Sequence, residues 1–219
     1  MLSKRDFRLA IGIALVFAAL FLFPTDYSLS FTENNNPRGL DLYFVRHAET
    51  LANATGVYTE GNERTITEKG MRQIERLTEA LQGYEFDAVI VSPKIRAMKT
   101  IEPYLQKSNM TAVIWPEMAE SEHFFTKKKD VSDERFVRGK EIVLDAKSAR
   151  YFKFRSEKDR FEYKDGGFDS AVARLRKGCD LIDECFGQSG KTILVVGHSG
   201  SGAVMIDILL GRVPAGKYF

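Results

Sequence analysis

Three short apolar runs, each cut off by reactive polar residues, constrain this chain more than any other feature. They occupy residues 40–45 (LDLYFV), 86–91 (FDAVIV) and 192–196 (TILVV). Runs of this length, apolar nearly throughout, suit strands buried on both faces, as in a parallel sheet. Segments of helical period lie between them. Residues 67–81 open with Thr67 and Glu68, as a capped helix does, and repeat apolar side chains at Met71, Ile74, Leu77, Ala80 and Leu81. Ser92-Pro93 predicts the opening of a further helix, and residues 112–115 a third, short strand. Residues 168–186 align Val172, Leu175, Cys179, Ile182 and Phe186 on one stripe, and residues 199–210 form the last helix. The alternation predicts a three-layer α/β/α domain with a largely parallel sheet over residues 40–219. Residues 121–167 break the pattern: charges dominate, aromatics are scattered, and the segment reads as a mainly helical excursion over one face of the domain.

The N-terminus carries a different signal. Lys4, Arg5 and Arg8 precede fifteen residues, 9–23, without a polar side chain, and Pro24, Thr25 and Asp26 end the run. A spanning helix needs about 20 residues. Three readings follow: an N-terminal hydrophobic helix acting as an uncleaved anchor, a signal peptide, or a buried core helix. Bulky Phe21-Leu22-Phe23 fits a small-residue cleavage site poorly. The basic flank places the N-terminus in the cytoplasm and the domain outside it, membrane-anchored or exported. Residues 1–30 are then the anchor or signal segment, with a polar linker to about residue 39. The formal net charge of +2 gives no reason to expect nucleic acid. Cys179 and Cys185, six apart in one predicted helix, face different directions and form neither a disulfide nor a metal motif. Lys127, Lys128 and Lys129 read as a solvated charge run.

The chemistry gathers at strand ends, where open α/β sheets bind ligands. Arg46-His47-Ala48-Glu49-Thr50 follows the first strand, and Gly197-His198-Ser199-Gly200 follows the last. The chain has only three histidines, and two stand here. The second strand leads through Ser92 to Arg96. Two arginines and two histidines on one rim suit a phosphate: guanidinium matches its oxygens in a planar fork, and an adjacent helix N-terminus adds backbone donors.

These stretches resemble the histidine phosphatase superfamily, the phosphoglycerate-mutase-like group, branch 1. Its Arg-His-Gly-Glu-Thr motif appears as residues 46–50, with the following asparagine at Asn53. Its Leu-Thr-x-x-Gly appears as residues 66–70, its Ser-x-x-x-Arg-Ala-x-x-Thr as residues 92–100, and its Gly-His as Gly197-His198. The resemblance implies that His47 attacks phosphorus and carries a phosphohistidine intermediate, with its other ring nitrogen donating to a backbone carbonyl. It implies that Arg46, Arg96 and His198 hold the non-bridging oxygens and that an acidic residue after the third strand protonates the leaving oxygen; Asn53 and Thr65 are further candidates for contact with phosphate or substrate. Glu120 is the choice, with Glu117 and Glu122 as neighbours. No metal and no cofactor is implied. Ala48 stands where the family has glycine, which puts backbone freedom in question, and the chain stops where the family continues into another strand, so that either this edge strand is missing or the sequence is a truncated fragment. His123 receives no role.

The implied activity is hydrolysis of phosphate monoesters by a histidine acid phosphatase-like phosphomonoesterase. Its substrate is a small phosphorylated molecule, or a phosphoprotein or envelope glycan. A phosphoglycerate-mutase-type phosphotransferase is the rival, and a non-catalytic phosphate-binding module is the reading from a different class. Retention of the nucleophile favours catalysis, since binding alone does not need one.

Overall fold

The computed structural model describes residues 39–126 and 136–216. The apolar segment at 9–23, its linker and the lysines at 127–129 lie outside the described residues. Among the described residues, no helix is long and apolar enough to cross a membrane.

The strand β1 (Asp41–Arg46) leads through two short helices, α1 (Leu51–Thr55) and α2 (Glu60–Arg64), to α3 (Glu68–Leu81). Next come β2 (Ala88–Val91), α4 (Ile95–Ser108) and β3 (Ala112–Ile114). A 3-10 turn at Pro116–Met118 and α5 (His123–Thr126) precede β4 (Arg138–Glu141), β5 (Phe152–Phe154) and β6 (Phe161–Tyr163). The long helix α6 (Phe168–Phe186), β7 (Thr192–Gly197) and α7 (Ser199–Leu209) complete the order. Five strands form one sheet in the order β1-β7-β2-β3-β5, and every neighbouring pair is parallel.

The apolar runs are strands because both faces of the sheet are covered. Val89, Val91, Leu194 and Val196 turn to one side and pack with Leu81, Ala97, Ile101 and Leu105 of α3 and α4. Their sequence neighbours Ile90, Ile193 and Val195 turn to the other side, onto Leu175, Cys179, Ile182 and Met205 of α6 and α7. This is the three-layer arrangement expected, and each fully buried aliphatic side chain contributes about 1.5–3 kcal/mol. Both cysteines are free.

Several expectations need correction. The region 121–167 is not mainly helical. Among its described residues the only α-helix is one four-residue turn, α5; β5 extends the main sheet beside β3, and β4 pairs with β6 in a two-stranded antiparallel sheet. Isolated apolar anchors, Phe124, Ile142 and Phe152, join it to the core, and ion pairs tie the rest. Arg155 lies over the Trp115 ring at 4.3 Å and donates to Glu117 at 2.6 Å and Asp159 at 2.9 Å; Arg138 reaches Asp159 at 3.1 Å. Met71 leaves the α3 stripe and is half exposed, the buried face being Gly70, Ile74, Thr78 and Leu81. Ser92-Pro93 does not open α4, which begins at Ile95 after Lys94. The Ser92 hydroxyl turns instead toward His198.

Candidate active site

Strand register builds the site. Arg46 lies beside Gly197, and Val91 beside Val196, so the first residues past β1, β7 and β2 emerge at nearly one level. Two backbone bonds carry the register past the strand ends: the His47 N–H donates to the Gly197 carbonyl, and the Ser92 N–H to the Val196 carbonyl, both at 2.9 Å. The His47 and His198 rings consequently lie side by side, their centroids 5.1 Å apart.

His47 is 8% exposed. Its Nδ1–H donates to the Ala48 carbonyl at 2.7 Å, so the tautomer leaves the Nε2 lone pair for chemistry. Burial first, then the charges of Arg96 and Arg46, pull its pKa down to about 3, against the opposing effect of the Ala48 bond. The ring is therefore neutral across the physiological range. Ala48 takes no positive φ, so the methyl that replaces glycine here strains nothing; its N–H donates to the Thr100 hydroxyl at 2.9 Å.

His198 is fully buried. Its Nε2 meets the Ser92 hydroxyl at 2.7 Å, while its Nδ1 has no partner. A Ser92 O–H donated to Nε2 puts the ring proton on Nδ1, a buried donor lacking an acceptor. Burial, with Arg96 next, holds this imidazole well below its ordinary pKa. Arg96 is 11% exposed and pairs with Glu63 of α2 at 3.0 Å. Arg46 is on the open side, exposed, and its charge still reaches both imidazoles. Lys94, whose charge also bears on His198, is held by Glu162 at 2.8 Å.

Glu120 separates from its acidic neighbours by position. Its carboxylate accepts from the Gly200 and Ser201 N–H groups at 3.0 and 2.8 Å, and its charge is felt by Arg96. Burial raises its pKa, outweighing these donors, the Ser121 N–H and Arg96. Glu117 is 1% exposed and is tied to Arg155 and to the Tyr163 hydroxyl at 3.1 Å. Glu122 is exposed. The backbone donors at the start of α7, expected to serve phosphate, are thus occupied by Glu120.

Asn53 serves α1 first: its Oδ1 accepts from the Thr50 N–H at 3.1 Å in a capping box. That leaves only its Nδ2 hydrogens for a phosphate. Thr65, in the link from α2 to α3, donates its hydroxyl to the Gly61 carbonyl at 2.8 Å. Other motif positions are scaffold. Thr67 caps α3, accepting from the Gly70 N–H at 3.0 Å. A Cβ at Gly70 would collide with the Glu49 carbonyl. Thr100 donates to the Arg96 carbonyl while accepting from Ala48, joining the two halves of the rim. Sequence reasoning missed the Ser92–His198 bond and Glu63; a serine directly past a buried strand carries a signal, whereas residues 57–64 carry no period.

The histidine phosphatase superfamily (branch 1) model matches residues 42–218. The chain is 27% identical over 171 residues to the adenosylcobalamin/alpha-ribazole phosphatase of Escherichia coli, covering 78% of this chain and 79% of that one. A 2,3-bisphosphoglycerate-dependent phosphoglycerate mutase of Actinobacillus pleuropneumoniae is 33% identical over 72 residues, 32% of each chain. Among solved structures, the alpha-ribazole phosphatase of Shigella flexneri superposes with a TM-score of 0.51 at 22% identity, covering 79% of this chain and 81% of that one, a likeness of fold.

Proposed function

The chain belongs to branch 1 of the histidine phosphatase superfamily, and from that premise we propose that it hydrolyses small phosphate monoesters through a phosphohistidine on His47. The observation that carries this is the state of His47: neutral, its Nδ1–H fixed on a backbone carbonyl, its ring beside His198 and under the charges of Arg96 and Arg46. Nε2 attacks phosphorus as the ester P–O bond breaks, and the Glu120 carboxyl gives its proton to the departing oxygen. Water then attacks phosphorus, Glu120 takes the water's proton, and the P–N bond breaks to release orthophosphate. Arg46, Arg96, the Nδ1–H of His198 and the Asn53 amide supply donors to the oxygens, whose charge grows on the way to the transition state.

The finer reading is an acid phosphatase. His47 stays a free base down to about pH 3, while Glu120 must carry a proton, so activity declines as pH rises through the raised Glu120 value. Lys94 and Lys69 are already paired with Glu162 and Glu49, which favours a phosphatase over a mutase holding a second charged group. Export or anchoring through residues 9–23 completes the reading, and the N-terminal residue of the mature protein tests it.

The decisive experiment compares wild type with His47→Ala on an aryl phosphate, with base-quenched labelling by a radioactive phosphate ester. An acid-labile, base-stable phosphoenzyme in wild type alone is the expected result. Equal turnover by His47→Ala removes this imidazole as nucleophile.

A further inference from the structure

Arg174 of α6 is 1% exposed, and its guanidinium is committed on two sides. Nε and Nη2 donate to the two carboxylate oxygens of Asp165 at 2.8 and 2.7 Å. Nη1 donates to the carbonyls of Glu117 and Ala119 at 2.6 and 3.0 Å. Those carbonyls belong to the turn that ends at Glu120. α6 also packs tightly on this turn: a Cβ at Gly178 would lie 2.6 Å from the Met118 methyl carbon and 2.9 Å from Glu117 Cβ. On the other side, α7 receives the Glu120 carboxylate with two N–H groups. The acid-bearing peptide is therefore gripped from both ends, by a guanidinium on the main chain and by backbone donors on the side chain.

A buried ion pair is weak support for stability, because desolvation offsets much of the attraction. A planar fork does supply direction, since its donors fix the peptides they meet in two angles as well as in distance. We propose that Arg174, held by Asp165, is a positioning residue that sets Glu120 against the leaving oxygen. The proposal rests on Glu120 as the general acid.

Leaving-group dependence reads this step directly. A p-nitrophenyl ester departs as a stable phenolate and needs little protonation, whereas glycerol phosphate departs as an alkoxide unless an acid serves it. Because Glu120 also serves the later hydrolysis shared by both esters, the readout is kcat/KM, which reports the step in which the ester bond breaks: Glu120→Gln is expected to lower it about 100-fold or more on glycerol phosphate and less than about tenfold on the aryl ester. Arg174→Met is expected to shift the ratio of the two kcat/KM values the same way by about tenfold or more, with Arg174→Lys between it and wild type. Inhibition by orthophosphate, which reports the arginine and histidine donors, stays unchanged. Should Arg174→Met fail to fold, Asp165→Asn loosens the fork with Arg174 retained and is expected to show the same selective loss. A variant that slows both esters by one factor, or weakens orthophosphate inhibition in step, overturns the positioning role. If Glu120→Gln separates the esters and the Arg174 and Asp165 variants do not, this proposal alone falls. If Glu120→Gln itself does not separate them, Glu120 is not the acid and both fall together.

Discussion

The rim formed by His47, Ser92 and His198 and the charged segment 136–167 solve the placement of polar groups in opposite ways. On the rim, each residue is the first past a buried strand, and the parallel register brings the three to one level, where their side chains then meet. In the segment, strands of three or four residues are held by Arg155, Arg138, Asp159 and Glu117, partners up to 38 residues apart in sequence. Geometry set by register inherits the rigidity of the core. Geometry set by buried charge depends on every partner being present, because a carboxylate left alone in the interior is costly.

The comparison predicts that the two regions break differently. Arg96→Ala is expected to give the largest effect: kcat/KM on an aryl phosphate falls about 10³-fold, since a preorganised donor to the developing charge is lost, with the thermal midpoint nearly unchanged. Arg155→Ala is expected to reverse that pattern. It takes from the buried Glu117, at 1% exposure, its shortest charged partner, leaving the Tyr163 hydroxyl and the more distant Lys177, and lowers the unfolding free energy by about 3 kcal/mol in urea titrations, with a far smaller change in kcat/KM per folded molecule. A variant series in which both substitutions shift stability and activity equally would erase the distinction.

A third measurement separates the regions by pH. The folded-state pKa of His47, about 3, lies below its ordinary 6.5. The unfolded chain therefore gains a proton first as pH falls, so the stability this residue contributes is present above pH 6.5 and is lost progressively from there toward pH 3. Between pH 6.5 and 5 the loss is roughly 2 kcal/mol for His47, and His198 acts in the same direction. His47→Gln should flatten that part of the unfolding profile; an unchanged slope would mean that the imidazole is not held neutral. The smallest effect concerns Glu63. Glu63→Gln releases Arg96 from its carboxylate, and orthophosphate inhibition should tighten a few-fold, on the order of one charge interaction at a partly exposed site.

How far each region could be read follows from the same contrast. Residues 40–45, 86–91 and 192–196 announce strands because continuous apolar runs have few other uses in a chain of this size, and the polar residues after them become a site through register alone. The excursion was misread because local hydrophobic period is the wrong instrument for it. Phe152-Lys153-Phe154 and Phe161-Glu162-Tyr163 do alternate with the period of strands, but three-residue signals among charges are too short to weigh against a helix.

What the amino-acid order determined by itself is the layered α/β domain and the meeting of His47, His198, Arg46 and Arg96 at one edge, because burial and strand alternation act residue by residue along the chain. Tertiary structure decided the rest. It placed Glu120, rather than Glu117 or Glu122, where its charge reaches Arg96; it gave the first donors of α7 to that carboxylate; it set Glu63 on Arg96 and Arg174 behind the Glu120 turn. Each of these is a pairing between distant segments, and electrostatic attraction between side chains has no period that a linear sequence can display.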